Sequence, residues 1–581
     1  MKKYLLFLGV ALCATFCVNE ASAQIKLGEN GGQLSVSLDS NNIYYQEDKK
    51  LEEFNMANKR EKEFGSNNYL KVDYGIKRFS AGLQVDAFLP ALSGYDISKH
   101  KFSSTYNTAF VTLYAQWEHD SWGIRIGDIY DQFGNGLIFR AYEERALGFN
   151  NALEGVRFHY NYENYLNFKV LAGLPRIYDK VSDTLVWGGD LSLSFSDMLG
   201  WTDGLVSIEG GYIRRVLNND ETIVNNNFYP AKEFKEDVLN MISTRANFEY
   251  AGFSLRGEYA MKLNEDVWGA NDEPAKGDVI NIDFGYNYKR FSISGTFRRQ
   301  QNMATPIMLT MYDREKHHIE AGSTGSGIAL LGGGNSLNYI PLLTRQHTYS
   351  LASLNPYLGC ATTTGGEIGG QVDVYYSWRN PKVRGKYWNF HANFSMFNSL
   401  DYTDPWGYEI KGKNAWIDAN FDVERQWNKT LKTTFLYSYQ RWDKEKSMSP
   451  KAKYIESHIF VGDVTYKINK KHSLRFEAQY LCSDDYEGDW VAGTIEYNFA
   501  PMFSFYVSDM WNCEETDYNY NQLEDKHYLL HYYQVGATFT HSNYRAQIAY
   551  GRNRAGYVCS GGSCRYQPAY TGVNFALTIT F

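Results

Sequence analysis

The sequence predicts an all-β fold, a single large antiparallel transmembrane β-barrel of about 24 strands, the count being even and within roughly 20 to 26. Three observations predict it. Apolar and polar residues alternate with a period of two along the chain, the connections between alternating segments are short and long by turns, and the chain ends on an aromatic residue of an apolar file.

The alternation begins near Gly32. Leu70, Val72, Tyr74 and Ile76 alternate with Lys71, Asp73, Gly75 and Lys77. Phe79, Ala81, Leu83, Val85 and Ala87 continue beyond a tight turn. The same pattern recurs at Phe253–Tyr259, Ile280–Tyr286 and Leu474–Tyr480. Each such segment is a strand with one apolar and one polar face. A soluble sandwich alternates too, so the connections must decide. Short turns fall near Lys77-Arg78, His119-Asp120, Tyr162-Glu163, Ala251-Gly252, Lys289-Arg290, Asn428-Lys429, Lys470-Lys471, Ala500-Pro501 and Ser542-Asn543. The intervening connections are longer, as from Gln46 to Ser66, Pro90 to Asn107, Leu217 to Asp237, Leu400 to Lys413 and Arg552 to Pro568. Transmembrane barrels keep short turns on the periplasmic rim and long loops outside, whereas a sandwich has no reason to hold that parity. Val573, Phe575, Leu577, Ile579 and Phe581 form the final file. Both termini are then expected in the periplasm.

Composition agrees. Aromatic residues make up 16% of the chain, with 47 Tyr and only 12 Pro, which suits strands and membrane interfaces. Tyr44-Tyr45, Trp117, Trp122, Trp388, Trp427, Trp490, Trp511 and Tyr532-Tyr533 are expected in aromatic girdles. Mean hydropathy is −0.46, and no segment beyond the first residues has the ~20 apolar residues of a spanning helix. Lipid accepts only helices and closed barrels, so a membrane reading of this chain requires the barrel. The net charge of −8 is spread along the chain with no basic stripe, which argues against a nucleic-acid partner.

Residues 1–23 read as a signal peptide: Lys2 and Lys3, an apolar run from Tyr4 to Val18, then Ala21-Ser22-Ala23 as the cleavage site. A lipoprotein reading on Cys17 is poorer, because Phe16 precedes it. Residues 24–581 form the barrel, with no separate globular domain, no heptads and no repeats. The expected address is the outer membrane of a Gram-negative bacterium. Its expected partners are outer-membrane lipid, lipopolysaccharide and the barrel-assembly machinery. A plug domain and an energy-coupling box are not evident, so a TonB-dependent receptor is not expected. Beyond the leader the cysteines are Cys360, Cys482, Cys513, Cys559 and Cys564. Cys559 and Cys564 bracket Ser-Gly-Gly-Ser, and a disulfide between them would close a small loop in an oxidising compartment. A metal site is weaker, since no second Cys or His pair lies nearby.

Two connections stand out. The first, 128–151, clusters Arg140, Glu143, Glu144 and Arg145, and flanking strands add Arg125, Arg157 and His159 on polar files. Mixed charges at a narrow point select solutes, although a salt-bridged loop that only stabilises the barrel would look the same. The second, 302–366, holds His317-His318, a Gly-rich run from Gly322 to Gly334 and apolar Ile328–Leu331. A lumen enclosed by about 24 strands is wide, and barrels of about 22 strands are plugged, so this segment is expected to fold inward. The Gly run lacks the Gly-Lys-Ser/Thr ending of a phosphate loop, and the His pair lacks the spacing of a zinc helix. No Gly-x-Ser-x-Gly elbow is present. Asp418, Asp422, Glu424, His391 and His458 are dispersed polar residues of inward files. No catalytic residue, metal or cofactor is therefore expected.

The segment Gly127–Phe158, GDIYDQFGNGLIFRAYEERALGFNNALEGVRF, resembles an uncharacterised family of porin-like outer-membrane β-barrel proteins of Bacteroidetes-type bacteria, and Arg345–Tyr349 shares the likeness. That resemblance implies fold and location, and no functional residues. The expected function is a channel passing small polar solutes passively or selectively. The alternative is a non-transporting barrel with an occluded lumen, serving display, secretion or assembly. A barrel-embedded lipid-modifying enzyme stands third.

Overall fold

The computed structural model describes residues 25–27, 31–54, 63–93, 95, 108–146, 148–177, 180–216, 224–226, 229–232, 238–265, 276–303, 305–309, 328–330, 336–337, 349–350, 366–379, 385–403, 409–410, 412–443, 454–484, 488–513, 530–560 and 563–581. Residues 1–23, expected from the sequence to be a signal peptide, lie outside them.

Period-two sequences are built into 24 long strands. These are β1 (Gln33–Gln46), β2 (Phe64–Ile76), β3 (Phe79–Phe88), β4 (Thr108–Glu118), β5 (Trp122–Ile129) and β6 (Leu153–Tyr162). Next come β7 (Leu166–Ile177), β8 (Leu185–Ser194), β9 (Gly204–Val216), β10 (Val238–Tyr250), β11 (Phe253–Lys262) and β12 (Asp278–Tyr288). They are followed by β13 (Phe291–Gln301), β14 (Glu367–Arg379), β15 (Tyr387–Ser399), β16 (Asn414–Gln426), β17 (Leu431–Asp443) and β18 (Tyr454–Lys467). The last are β19 (His472–Ser483), β20 (Trp490–Phe499), β21 (Phe503–Asn512), β22 (His531–His541), β23 (Tyr544–Asn553) and β24 (Tyr570–Thr580).

Every strand pairs antiparallel with its sequence neighbours, and β24 returns to β1 in register from Ser37↔Thr580 to Gln46↔Thr571. The barrel is closed with 24 strands. Two short pieces, Ile25–Lys26 and Lys180–Val181, flank the sheet. Phe581 seals the seam. Its amide donates to the Val36 carbonyl at 2.7 Å, and Val36 donates back at 2.8 Å. Closure leaves no edge strand with unpaired amides, the condition lipid imposes.

The two faces differ in chemistry. Ile126 is 60% exposed and Ile495 51% exposed on the outer wall. The alternate residues Arg125 and Thr494 point inward. Outward rings cluster at both rims. Trp122, Phe253, Tyr288, Trp388 and Trp427 lie beside the short turns, and Tyr44, Trp187 and Trp511 beside the long connections. Three expected girdle residues face inward instead: Tyr45, Trp490 and Tyr532 are at most 9% exposed. Strand parity decides this, since Trp490 shares its face with Ala492 and Thr494, and Val491 and Ile495 take the outer wall.

Nine of the eleven connections that follow an even strand are turns of two to four residues, those after β8 and β14 have nine and seven, and the connections that follow odd strands run from six residues upward. The turn after β10 places Ala251 and Gly252 both at positive φ, the geometry a two-residue hairpin needs to match strand twist. Two turns escape the simple pattern in the sequence. The β8–β9 turn contains the short helix α2 (Phe195–Met198), capped by the Ser194 hydroxyl, and residues 380–386 join β14 to β15. An earlier helix, α1 (Lys49–Phe54), lies in the β1–β2 connection.

Opposite faces of one strand give a sharp test. Ile495→Arg should destabilise the barrel by about 2–4 kcal/mol in urea unfolding from lipid vesicles. Thr494→Arg, one residue away, should cost less than about 1 kcal/mol because its side chain enters the polar lumen.

Candidate functional site in the barrel lumen

A barrel this wide cannot be filled by its own wall side chains. Two apolar patches on the inner wall show what fills it. The first runs across β7–β12 through Leu171, Val186, Ile213, Leu239, Met241, Ala260 and Val279, all at most 3% exposed. Inward apolar files are unusual for a solvated lumen, and here they are covered by the β5–β6 connection. Phe133, Ile138 and Phe139 of that connection are at most 1% exposed against the patch, with Leu137 beside them. The segment turns back on itself through Gly136 at φ +79°. The Phe133 amide donates to the Phe139 carbonyl at 3.1 Å. Gly134 is required for a second reason, because a Cβ there would lie 2.4 Å from Arg245 Cδ.

Polar ties fix the same connection. Asp131 accepts from Lys169 Nζ at 2.7 Å and Arg157 at 3.0 Å. The Asn135 amide donates to Glu258 at 3.0 Å. Glu258 also accepts from Ser243 at 2.6 Å. Arg245, against which the Gly134 turn packs, donates to Asp190 at 2.6 Å and Glu209 at 2.7 Å. On the other side of the lumen, Arg145 donates to Asp39 of β1 at 2.6 Å and to Gln84 of β3 at 3.1 Å. Its guanidinium lies 4.7 Å from the Tyr69 ring centroid. Gln84 donates to Glu143 at 2.7 Å. The connection is thus held on the wall of β7–β12 by apolar contact together with Lys169 and Glu258, and on β1–β3 by charge and hydrogen bonds.

Between the connection and the wall of β2–β5 lies a cavity of about 600 Å³. Its charged lining comprises Lys71, Arg125 and Arg145 against Asp128, Asp131 and Glu143, with Tyr114, Tyr130 and Tyr142 adding hydroxyls. Arg125 sits 3.7 Å from the Tyr114 ring centroid and donates to the Asp128 carbonyl at 3.0 Å.

Of the residues expected at a constriction, Arg125, Glu143 and Arg145 therefore meet in one cavity. Arg157 stands next to it through Asp131. His159 lies closer to the short-turn rim, 3.2 Å from Glu118. Arg140 stacks on Tyr142 at 4.1 Å, and Glu144 accepts from the Ala146 amide at 3.2 Å. Neither lines the cavity. Asp39, Lys71, Gln84, Tyr114, Asp131 and Lys169 were not singled out from the sequence. The inward parity of the five on barrel strands was legible, but their meeting with one another and with Asp131 was not.

A second apolar patch, on β17–β22, contains Leu436, Ile459, Leu481, Trp490 and Tyr532 and is covered by Leu51 of α1. Asp48 anchors that helix by accepting from Thr571 and Arg552, at 2.5 and 2.8 Å. Burial alone would raise the Asp48 carboxyl, but the bonds from Thr571 and Arg552 outweigh it and hold the pKa below the ordinary value. Its stabilisation is complete above the usual carboxylate range and is lost as pH falls through that lowered value.

Of the 302–366 segment, Met303 and Thr305 are buried against the first patch, and the Thr305 hydroxyl lies 3.6 Å from Met241 sulfur. Most of the rest lies outside the described residues, as do His317-His318 and most of the Gly-rich run. Backbone pairing sets Cys559 opposite Cys564 in a hairpin, and their side chains lie outside the described residues. Among the described residues no cluster of metal-ligating side chains occurs. His391 meets Asp422 at 2.8 Å and Asp373 at 3.3 Å under the Tyr375 ring. Glu424 pairs with Lys432, and His458 bonds Tyr437. The dispersed polar residues do not converge on one centre.

Residues 1–581 match DUF6029, a family of unknown function. The chain belongs to that family. No curated protein sequence matches it. Solved barrels are similar at the level of overall shape. The P pilus usher (PapC) translocation pore has 9% identity and a TM-score of 0.41, over 94% of this chain and 99% of that one. Pseudomonas aeruginosa OccK5 (OpdH) has 12% identity and a TM-score of 0.35, over 74% of this chain and 97% of that one. The siderophore receptor PirA from Pseudomonas aeruginosa has 7% identity and a TM-score of 0.38, over 94% of this chain and 80% of that one.

The anchoring of the β5–β6 connection is testable. Phe133→Ala together with Ile138→Ala removes buried contacts worth about 2–5 kcal/mol each. Trypsin should then cut after Arg140 or Arg145 at least ~10-fold faster, while the barrel keeps its heat-modifiable migration on gels.

Proposed function

We propose that this DUF6029 protein is an outer-membrane channel for small polar solutes, narrowed by its own β5–β6 connection. The observation that carries the reading is the mixed-charge cavity of about 600 Å³ between that connection and the wall of β2–β5. Opposed cations and anions in a confined aqueous space select by size and charge without needing a tight complex. The apolar outer wall with its two aromatic rims supports a membrane address. The short-turn rim, which carries both chain ends, is assigned to the periplasm. Residues 1–23 would direct export, and the assembly machinery would insert the barrel among phospholipid and lipopolysaccharide. No catalytic step is part of this function.

The second reading, a non-transporting scaffold, draws on the filling of the lumen. Two separate segments, 130–152 and α1, cover inner-wall patches on different sides.

Purified protein in planar bilayers separates the two. A channel should show discrete unitary conductance, and deleting residues 134–148 should raise it at least about twofold by removing the constriction. Arg145→Gln should shift the reversal potential in a salt gradient toward cation preference, and Arg140→Gln should leave it unchanged. Absence of conductance from both the full chain and the deletion would favour the scaffold.

A further inference from the structure

The short-turn rim is divided by charge. The turns after β4, β6 and β8 carry Asp120, Glu163, Asp197 and Asp203, and of the two cations on the adjoining turn after β2, Lys77 and Arg78, Arg78 is bound to Asp120 at 2.9 Å. The turns after β12, β14, β16 and β18 are consecutive around the rim and carry only cations. They present Lys289 and Arg290, then Lys386, then Lys429, then Lys470 and Lys471, all exposed. None of these six makes an ion pair with a described residue. Barrel closure requires no such segregation, and like charges on adjoining turns repel one another.

One residue shows which way this arc faces. Arg425 lies on the outward file of β16 with Phe421 and Val423, at the level of the aromatic rim. Its guanidinium sits 3.3 Å from the Trp427 ring centroid and 4.3 Å from that of Trp388. It forms no hydrogen bond or ion pair with any described residue. Lys289 likewise lies 4.8 Å from the outward Tyr288 ring. The rings orient the cation by cation–π contact and leave its N–H edge open. A planar guanidinium presented this way binds phosphate oxygens. Trp and Tyr rings favour the headgroup level of a membrane. A soluble acidic partner would meet the turn lysines, but it has no reason to approach the outer wall where Arg425 lies.

We propose that Arg425, framed by Trp388 and Trp427, is the centre of a binding site for the headgroup phosphate of an anionic phospholipid, with the turn lysines beside it supplying attraction. This rests on the membrane placement of the barrel given above, and not on its conducting solutes. The site would fix the rotational setting of the barrel in the inner leaflet, with its basic arc gathering anionic lipid and its acidic arc excluding it.

The test is native mass spectrometry of the full detergent-solubilised protein titrated with phosphatidylglycerol or phosphatidylethanolamine of equal chain length, with inorganic phosphate as competitor. The wild-type protein should retain phosphatidylglycerol preferentially. Arg425→Gln should weaken that retention roughly tenfold, and Lys429→Gln with Lys470→Gln and Lys471→Gln should weaken it by a similar factor. The lysine variant guards against misfolding at Arg425, and gel migration without heating checks both. Equal retention of the two lipids, or phosphatidylglycerol retention unchanged in both variants, would overturn the site. Displacement by millimolar phosphate would assign it to the free anion and overturn the lipid proposal. Binding that survives in a protein without conductance would leave the lipid site standing and remove only the channel.

Discussion

The structure depends on one constraint: every backbone amide of the sheet must find a partner within the sheet. The seam between β24 and β1, finished by the reciprocal bonds of Phe581 and Val36, meets it. Once the sheet is closed, each strand has an inside and an outside, and the chain must alternate. An even strand number follows from the two termini sharing a rim. The wide lumen is also a consequence, because circumference grows with strand number while side-chain length does not.

That width explains the two inner apolar patches. Leu171, Ile213 and Met241 would be misplaced in a solvated pore, and so would Ile459, Leu481 and Trp490. They become ordinary core once the β5–β6 connection and α1 fold onto them. The division of labour is physical. Buried apolar contacts of Phe133 and Ile138 anchor the segment to the wall. Directional bonds such as Arg145 to Asp39 and Asn135 to Glu258 set where the segment lies. The narrowed space therefore inherits the rigidity of the wall.

Much of the fold was legible in the residues. Alternation identified the lumen faces of Arg125, Arg157 and His159, and the positions of nine short turns followed from the breaks between alternating segments. The connections after β8 and β14 were not among them, because at nine and seven residues they depart from the two-to-four-residue turns of the others, although both contain glycine and charge. The aromatic rims were read from proximity to strand ends, which misplaced Tyr45, Trp490 and Tyr532. Aromatic identity is the same on either face, and only parity within the paired strand separates outer wall from lumen.

The sequence by itself determined the closed-barrel architecture, the strand count, the rim that carries each connection and the face of most side chains. These are local properties, set by a period of two and by turn chemistry. The tertiary structure alone decided which charges meet. Arg145 and Asp39 are 106 positions apart and Asn135 and Glu258 are 123 apart. Such pairs form only when register and closure have placed every strand, so no local pattern can announce them.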